Sequence, residues 1–403
     1  MIQPIVAGLV GALTGFASTF ALVIAGLRAV GATPAEAASG LLILCLTQAV
    51  IAIVLSLRYR MPLSFAWSSP GAALLIAAHA TTGNFSAAVG AFIVCGALIV
   101  ITGLWPALTR AITRIPTPIA SAMLAGILFP ICLAPVLASV QLPLLALPIV
   151  IVWLVLYGIA PRWAVPGALV VTVVVIGISA GTAWLHGGVV APHLAFVTPT
   201  FDPLVIVSLG VPLFIVTMAG QNVPGFAVLR TFDYPEPPAR TILVGSGILS
   251  AGGALFGGHA INLAALSAAI MAGPDAHPDR SKRWIATVSG GVVYLVLGLC
   301  AGLATSLVSA SPPILITAVA GLAMLGALVS GITASLEQPE NRIVAIITFL
   351  VVASGIVVAG IGSPFWGIVA GGTVMLWLSW HRRRTGHQTI LPPIVDDAVG
   401  GQE

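Results

Sequence analysis

Long apolar segments, separated by short polar loops, run through this chain from end to end. Most approach the roughly 20 residues that an α-helix needs to cross a bilayer. Because backbone polar groups find no water in hydrocarbon, such segments have to be helical. The sequence therefore predicts an all-α polytopic membrane protein with fourteen transmembrane segments. These cover residues 5–27, 38–57, 63–79, 86–108, 117–135, 141–159, 165–185, 203–223, 240–256, 258–272, 284–308, 312–330, 343–360 and 364–380.

The composition agrees with a chain that has the lipid bilayer as its solvent. Apolar residues make up 59% of the 403 residues and charged residues only 6%, against about 25% charged residues in soluble domains. The net charge of +4 is small and the basic residues lie at segment ends, which indicates topology and no nucleic-acid binding. Phosphate-binding loops, metal-ligand clusters and catalytic triads are missing from the sequence, so we expect no enzyme activity, no cofactor and no metal.

The basic residues also predict an orientation. If the N-terminus is cytoplasmic and each segment crosses once, 14 of the 15 basic residues face the cytoplasm, and only Arg28 lies outside. Both termini are therefore predicted to be cytoplasmic. The first segment lacks a basic leader and a small-residue cleavage site, which favours a retained span over a signal peptide.

The two halves of the chain resemble each other. Arg28 ends segment 1 and Arg230 follows segment 8, and a loop with Pro and Glu comes next in both halves. Because seven is odd, a seven-segment repeat inverts its orientation, which is typical of secondary transporters. We predict two inverted 7-span repeats at 1–185 and 203–380, a connecting loop at 186–202 and a cytoplasmic tail at 381–403.

One short segment in each repeat carries backbone-breaking residues, which predicts that spans 3 and 10 are broken. Ser69 before Pro70 predicts an N-cap with proline at the first helical position. Gly257-Gly258 allows a tight turn, and we expect a half-helix to begin there. Two helix N-termini that face each other at mid-membrane would bind a carboxylate through their free N–H groups. The residues predicted for this substrate site are Ser68, Ser69, Pro70, Gly71, Gly257 and Gly258.

Polar and aromatic side chains extend the predicted site. Gln221 and Asn222 close segment 8, and Asn262 lies one predicted helical turn after His259. Amides at membrane depth contact a substrate or join neighbouring helices, and both readings stay open. A free histidine titrates near neutral pH, so His259 is the candidate for proton coupling, with a neutral capping histidine as the alternative. Aromatic candidates for substrate contact are Phe20, Phe65 and Trp67.

The positions of the carboxylates limit the possible routes of a transported proton. None of the 11 Asp and Glu residues lies centrally in a predicted span, and Asp202 and Glu337 at span ends come closest. A proton would therefore travel by way of His259, a boundary acid such as Glu337, or the substrate itself. The four cysteines stand singly in apolar runs, and we predict that all are buried packing residues.

Three motifs resemble those of the benzoate/proton symporter (BenE-type) family, and they lie at 64–74, 221–225 and 257–265. The likeness runs essentially end to end, and that family is related to uracil permeases, sulfate permeases and bicarbonate exchangers. It implies a core domain (spans 1–4 and 8–11), a gate domain (spans 5–7 and 12–14) and a bacterial inner membrane.

Two departures from the related patterns matter. Ser69 stands where the family has threonine, which is a mild change. Uracil permeases carry acids in spans 8 and 10, where this chain has Gln221, Asn222 and Asn262, so proton coupling cannot be copied from them.

The residues and the resemblance together predict a secondary active transporter that takes up benzoate or a similar aromatic carboxylate with a proton. The core would rock against the gate around a midplane site. An anion channel or exchanger of the same fold is the alternative, and the missing catalytic residues disfavour a membrane-embedded enzyme. A homodimer is a possible assembly.

Overall fold

The computed structural model describes residues 2–78, 84–105, 116–180, 191, 193–264 and 266–385. Within these residues the chain is mainly helical, and the helices follow the predicted apolar segments. The tail beyond 385 and most of 181–192 lie outside the described residues. The first half contains α1 (Ile2–Ala29), α2 (Pro34–Tyr59), β1 (Phe65–Trp67), α3 (Ser69–Ala77), α4 (Phe85–Leu104), α5 (Thr117–Gln141), α6 (Pro143–Ile159) and α7 (Pro161–Ala180).

The second half begins with a long helix and repeats the short-strand interruption. It contains α8 (Pro203–Thr231), α9 (Ala239–Ala254), β2 (Ile261–Leu263), α10 (Leu266–Ala272), α11 (Trp284–Leu299), α12 (Ala301–Ser309), α13 (Pro313–Leu336), α14 (Arg342–Ala353), β3 (Val357–Val358), β4 (Ile361–Gly362) and α15 (Ser363–Thr385). Short 3₁₀ turns lie at Arg280–Lys282 and Pro339–Asn341. In both halves a strand and a short helix replace what the apolar pattern predicted as one segment.

Several helices are long and apolar enough to cross a membrane. By length and composition, six described helices meet this test, namely α1, α2, α4, α5, α8 and α13. The pair α11 and α12 forms a seventh span if it is taken as one helix bent by 54°. Helix α6 and the stretch Trp163–Ser179 of α7 are apolar but shorter. The prediction of a helical membrane protein is confirmed.

The prediction of an all-α chain is wrong in one respect, because the described residues include two short antiparallel sheets. Strand β1 pairs with β2, and β3 pairs with β4. Short apolar runs do not reveal by periodicity whether they form helix or strand. In the β1–β2 sheet, pairing between distant segments satisfies the backbone groups that a helix would have satisfied internally.

Helix α8 is continuous but contains two π-helical turns, at Ile206–Gly210 and Met218–Asn222. After each turn, the next residue donates its N–H to the carbonyl five residues earlier. A proline follows directly in both cases, Pro212 and Pro224. Proline has no N–H and crowds the carbonyl four residues before it, and the wider turn relieves this conflict. The helix therefore runs on past Pro224 to Thr231, whereas the predicted segment ended at residue 223.

Glycines allow the two halves to pack closely. A Cβ atom on Gly96 of α4 would lie 2.8 Å from the carbonyl oxygen of Gly247 in α9. A Cβ atom on Gly247 would lie 2.7 Å from the carbonyl oxygen of Gly96. Such close backbone approach is how membrane helices gain van der Waals contact without a hydrophobic driving force.

The four cysteines are free thiols, and three of them are buried as predicted. Cys300 is exposed, so the prediction is wrong for this residue. Its position explains the difference, because it joins α11 to α12 at the bend and belongs to neither helix.

Candidate functional site

The centre of the fold is the pairing of β1 with β2, which joins the first half of the chain to the second. Phe65 lies opposite Leu263, and Trp67 lies opposite Ile261. The ladder extends past both ends of the strands. The Ser68 N–H donates to the Ala260 carbonyl at 3.0 Å, and the Ala264 N–H donates to the Ser64 carbonyl at 2.9 Å. The two short segments that the sequence singled out therefore meet.

Ser68 begins the helix that follows β1. Its Oγ accepts the Gly71 N–H at 3.1 Å and the Thr217 hydroxyl at 2.9 Å. Ser68 is therefore the N-cap of α3, one residue earlier than predicted, and Ser69 is the first helical residue. Thr217 belongs to α8, so this cap also ties α3 to the second half.

The start of α3 offers few free donors. Pro70 has no N–H, Gly71 donates to the Ser68 hydroxyl, and Ala72 donates to the Ser68 carbonyl at 2.8 Å. Within the described part of this turn, the Ser69 N–H alone is left to bind a ligand. Ser69 is also half-buried, whereas Ser68 is fully buried. A carboxylate at this helix end would therefore meet one backbone donor and the positive end of the dipole.

His259 lies against this cap from the other half of the chain. Its Nε2 is 3.0 Å from the Ser68 carbonyl oxygen, and the side chain is fully buried. A carbonyl only accepts, so Nε2 carries the hydrogen, and Nδ1 of the neutral ring is a bare acceptor. No described residue bonds to Nδ1. The ring of Phe92 packs edge-on against the imidazole at 6.3 Å.

The predicted helix start at Gly257-Gly258 is wrong. The chain is extended through β2, and the next helix begins at Leu266. His259 therefore lies in the non-helical stretch before β2, and Asn262 lies within β2. Gly257 has a φ of +87°, which supplies the turn. A Cβ on Gly258 would lie 2.9 Å from Cγ2 of Ile43, so this glycine permits packing against α2. Backbone pairing with β1 has taken the place of the expected second helix N-terminus.

The two asparagines predicted for substrate contact satisfy the outer edge of β2. The Leu263 N–H donates to Oδ1 of Asn222 at 3.0 Å, and Nδ2 of Asn262 donates to the Leu263 carbonyl at 2.9 Å. Ser250 also binds the backbone of β2, because its Oγ accepts the Ile261 N–H at 3.0 Å. Only Oδ1 of Asn262 is left without a partner among the described residues. Of the two readings left open, binding between segments is therefore the one with observed contacts.

Gln221 differs from these asparagines because it is half-buried. It follows Gly220 in the second π-helical turn of α8. A Cβ on Gly220 would lie 3.8 Å from Cγ of Pro70 and 3.8 Å from Cδ2 of Leu124. The turn that carries Gln221 therefore passes between the start of α3 and helix α5.

The predicted aromatic residues are buried in the core. Phe20, Phe65 and Trp67 are 4%, 2% and 2% exposed. The indole Nε1 of Trp67 donates to the Thr19 hydroxyl at 2.8 Å, and its ring packs edge-on against Phe16 and Tyr294. These contacts hold β1 against α1 and α11. Ser69 and Gln221, by contrast, are half-buried.

Sequence reasoning missed several polar residues of this region. Gln48 of α2 is 1% exposed, and neither of its amide atoms has a partner among the described residues. It is the only amide in predicted segment 38–57, and an amide at that depth is itself a signal. Thr217 and Ser250 could not be singled out by residue type, because hydroxyl side chains are frequent in membrane helices. Within the described residues, no group of three or more His, Cys, Asp or Glu side chains could hold a metal ion.

Comparison with known proteins identifies the family of this chain. A family model described as "Benzoate membrane transport protein" (BenE) matches residues 1–377. The chain belongs to the benzoate membrane transport protein family. Proteins of this family are membrane transporters and not enzymes, as the sequence predicted.

Two relatives of this member of the benzoate membrane transport family align over most of the chain. The inner membrane protein YdcO of Escherichia coli (strain K12) is 36% identical over 376 residues, which is 93% of this chain and 95% of the relative. The benzoate membrane transport protein of Acinetobacter baylyi is 34% identical over 326 residues, which is 80% of this chain and 82% of the relative.

Solved structures of more distant proteins share the fold of this benzoate-transport family member. The transmembrane domain of the cyanobacterial bicarbonate transporter BicA aligns with a TM-score of 0.57 at 16% identity, over 92% of this chain and 98% of that domain. Murine solute carrier 26 family member A9, an anion transporter, aligns with a TM-score of 0.58 at 12% identity, over 95% of this chain and 69% of that protein. At these identities the likeness establishes the fold.

Proposed function

We propose that this chain is a secondary active transporter that takes up benzoate or a similar aromatic carboxylate together with a proton. Membership of the benzoate membrane transport family supports the substrate class. The observation that carries the coupling is the 3.0 Å contact between His259 and the Ser68 carbonyl at the cap of α3. It brings the candidate proton carrier next to the helix end with a free Ser69 N–H.

The substrate carboxylate binds at the open side of the strand pair. The Ser69 N–H and the amide of Gln221 are its donors, and the dipole of α3 adds a favourable field. These groups are neutral, which suits a ligand that must be released on the other side. The buried aromatic residues around Trp67 hold the strand in place behind them.

The proton binds at Nδ1 of His259. That atom is a free acceptor, so protonation adds a charge without breaking the Nε2 bond to the Ser68 carbonyl. The charge then lies close to the residue that binds the carboxylate, and the two ligands favour each other's binding. Such reciprocal coupling is the thermodynamic requirement for symport.

We also propose that the chain has fourteen spans in two inverted repeats. It would lie in a bacterial inner membrane with both termini in the cytoplasm. Matching strand-and-helix interruptions in the two halves support the repeats. The distribution of 14 of 15 basic residues supports the orientation. The core and gate domains would then move relative to each other around the strand pair, as a monomer or within a homodimer.

The deciding experiment is uptake of labelled benzoate into proteoliposomes with and without an inward proton gradient. We expect saturable accumulation that requires the gradient and is abolished by a protonophore. Equal uptake under both conditions would contradict symport. An anion channel or exchanger is the second candidate, because the fold is shared with anion transporters. A channel would give non-saturating conductance, and an exchanger would require a counter-anion inside the vesicles.

A further inference from the structure

A cavity of about 440 Å³ lies at the C-terminal end of α1, and no residue of the strand pair is among its lining residues. Its walls come from the ends of α1, α3 and α12, and from the starts of α2 and α13. Most of the lining is apolar, with Ala25, Ile76, Val308, Pro313 and Ile316 among its residues. Its volume lies within the range of small-molecule binding sites, and a single-ring acid would fill only part of it.

Arg28 is the charged residue of this lining. Its Nη1 donates to the Ala32 carbonyl at 2.9 Å, which uses one of the five N–H donors of a guanidinium. The one ion pair among the described residues joins Lys282 and Asp279, so no described carboxylate pairs with Arg28. The acid closest in sequence, Glu36, is committed elsewhere, because its Oε2 accepts the N–H and the hydroxyl of Thr33 at 2.7 Å each.

Compensation of the helix dipole explains only part of this arrangement. A cation in the last turn of a helix is favourable by itself. Arg58 has that role at the end of α2, where its guanidinium lies 5.6 Å from the Tyr59 ring and outside the cavity. Arg28 combines the same helix position with a mainly apolar cavity and with unused donors.

We propose that this cavity is an access site for a small aromatic monocarboxylate, with Arg28 as the cation that binds it. A guanidinium matches a carboxylate in two parallel hydrogen bonds, and the apolar walls receive the ring. The ligand class rests on the proposed function, but the location does not. In the proposed topology Arg28 is the only basic residue on the outer side, where an importer first meets its substrate.

Thiol protection tests this site directly. In a Cys300→Ser background, which removes the exposed cysteine, Thr317→Cys places a reporter on the lining. Purified protein in nanodiscs of zwitterionic lipid is labelled with a thiol reagent at neutral pH. We expect benzoate to slow labelling and its uncharged isostere benzamide to have little effect. Arg28→Gln should weaken protection by benzoate about tenfold, which is what loss of a charge-assisted hydrogen bond predicts.

Two variants control for indirect effects. Arg58→Gln should leave protection unchanged, because Arg58 has the same helix position but lies outside the cavity. Arg28→Lys keeps the charge and should retain part of the protection even if Arg28→Gln folds poorly. Equal protection by benzamide, or full protection in folded Arg28→Gln, would overturn the proposal. So would protection by an anionic phospholipid in the nanodisc with no effect of benzoate, since the ligand would then be a lipid headgroup.

The outcomes also separate this site from the transport proposal. Gln221→Ala should reduce uptake while benzoate still protects Thr317→Cys. Protection without gradient-driven uptake would overturn the proposed symport and keep the access site. Gradient-driven uptake without protection would overturn the access site alone.

Discussion

The Nε2 atom of His259 lies 3.0 Å from the carbonyl oxygen of Ser68, although the two residues are 191 positions apart in the sequence. The same carbonyl accepts the first helical hydrogen bond of α3, from the Ala72 N–H. The second half of the chain therefore contacts the helix end at which we place the substrate carboxylate. Any change in the charge of His259 acts on that end directly.

His259→Gln should uncouple transport from protons. Glutamine retains an amide donor for the Ser68 carbonyl but cannot take up a proton. We expect benzoate binding to survive in weakened form, while gradient-driven accumulation and its dependence on pH are lost. His193→Gln is the matched control, because His193 is exposed. Wild-type pH dependence in His259→Gln would leave the substrate itself or Glu337 as the proton carrier.

Ser68→Ala should reduce both stability and substrate affinity. It removes the N-cap of α3, which costs about 1 kcal/mol, and it leaves the Thr217 hydroxyl without its acceptor. Thr33→Ala removes the cap of α2 at an exposed position and should cost a similar amount of stability. Thermal unfolding in detergent and benzoate affinity are measured for both. If Thr33→Ala lowers affinity as much as Ser68→Ala, the loss reflects stability alone.

Gly257→Ala should destabilise the protein without a specific effect on binding. A side chain at the observed φ of +87° costs about 1–2 kcal/mol, and the new Cβ would lie 3.0 Å from the Glu36 carbonyl oxygen. Gly252→Ala is the control, because a Cβ there meets no atom within 4 Å and a helix favours alanine by about 0.5–1 kcal/mol. The folded fraction of Gly257→Ala should bind benzoate with normal affinity. Loss of binding in folded protein would place Gly257 in the substrate site after all.

Trp67→Phe should destabilise the protein by about 1 kcal/mol, because the indole N–H bond to Thr19 is lost while an aromatic ring remains. Thr19→Val removes the same bond from the other side. In a double-mutant cycle by thermal unfolding, the second substitution should add little to the first. Fully additive effects would mean that the bond contributes nothing measurable.

Ile390→Cys tests the orientation. In intact cells a membrane-impermeant thiol reagent should not reach it, whereas Ala191→Cys in the proposed external loop should react. Both substitutions are made in the Cys300→Ser background. Labelling of Ile390→Cys from outside would overturn the proposed topology, because fourteen spans that start from a cytoplasmic N-terminus place the C-terminus in the cytoplasm.

The sequence predicted the long helices well, because a long apolar run in a membrane satisfies its backbone groups most simply as a helix. It also identified both segments that meet at the centre. It failed on the secondary structure of 257–264. The turn glycines there indicated the start of a helix, but the segment is extended and pairs with 65–67. That pairing depends on a partner almost half a chain away, and local propensity contains no information about it.

In the candidate site, too, the sequence predicted some residues but not their contacts. His259 and Ser68 could be selected by type and depth, but their contact could not, because it depends on the strand register. Asn222 and Asn262 were selected for the same reason, and their contacts lie with the backbone of β2. The π-helical turns at Pro212 and Pro224 were also missed. A proline predicts a break, and only the surrounding packing decides whether the helix opens or widens.

The pairing of β1 with β2 has a consequence for how the protein is made. A ribosome adds about 5–20 residues per second, so β1 is complete roughly 10–40 seconds before β2 has been synthesised. During that interval the backbone of β1 lacks its partner, and unpaired groups in hydrocarbon cost several kcal/mol each. The nascent first half therefore has to stay in a hydrated or protein-lined environment, such as an insertion machine, until the second half arrives.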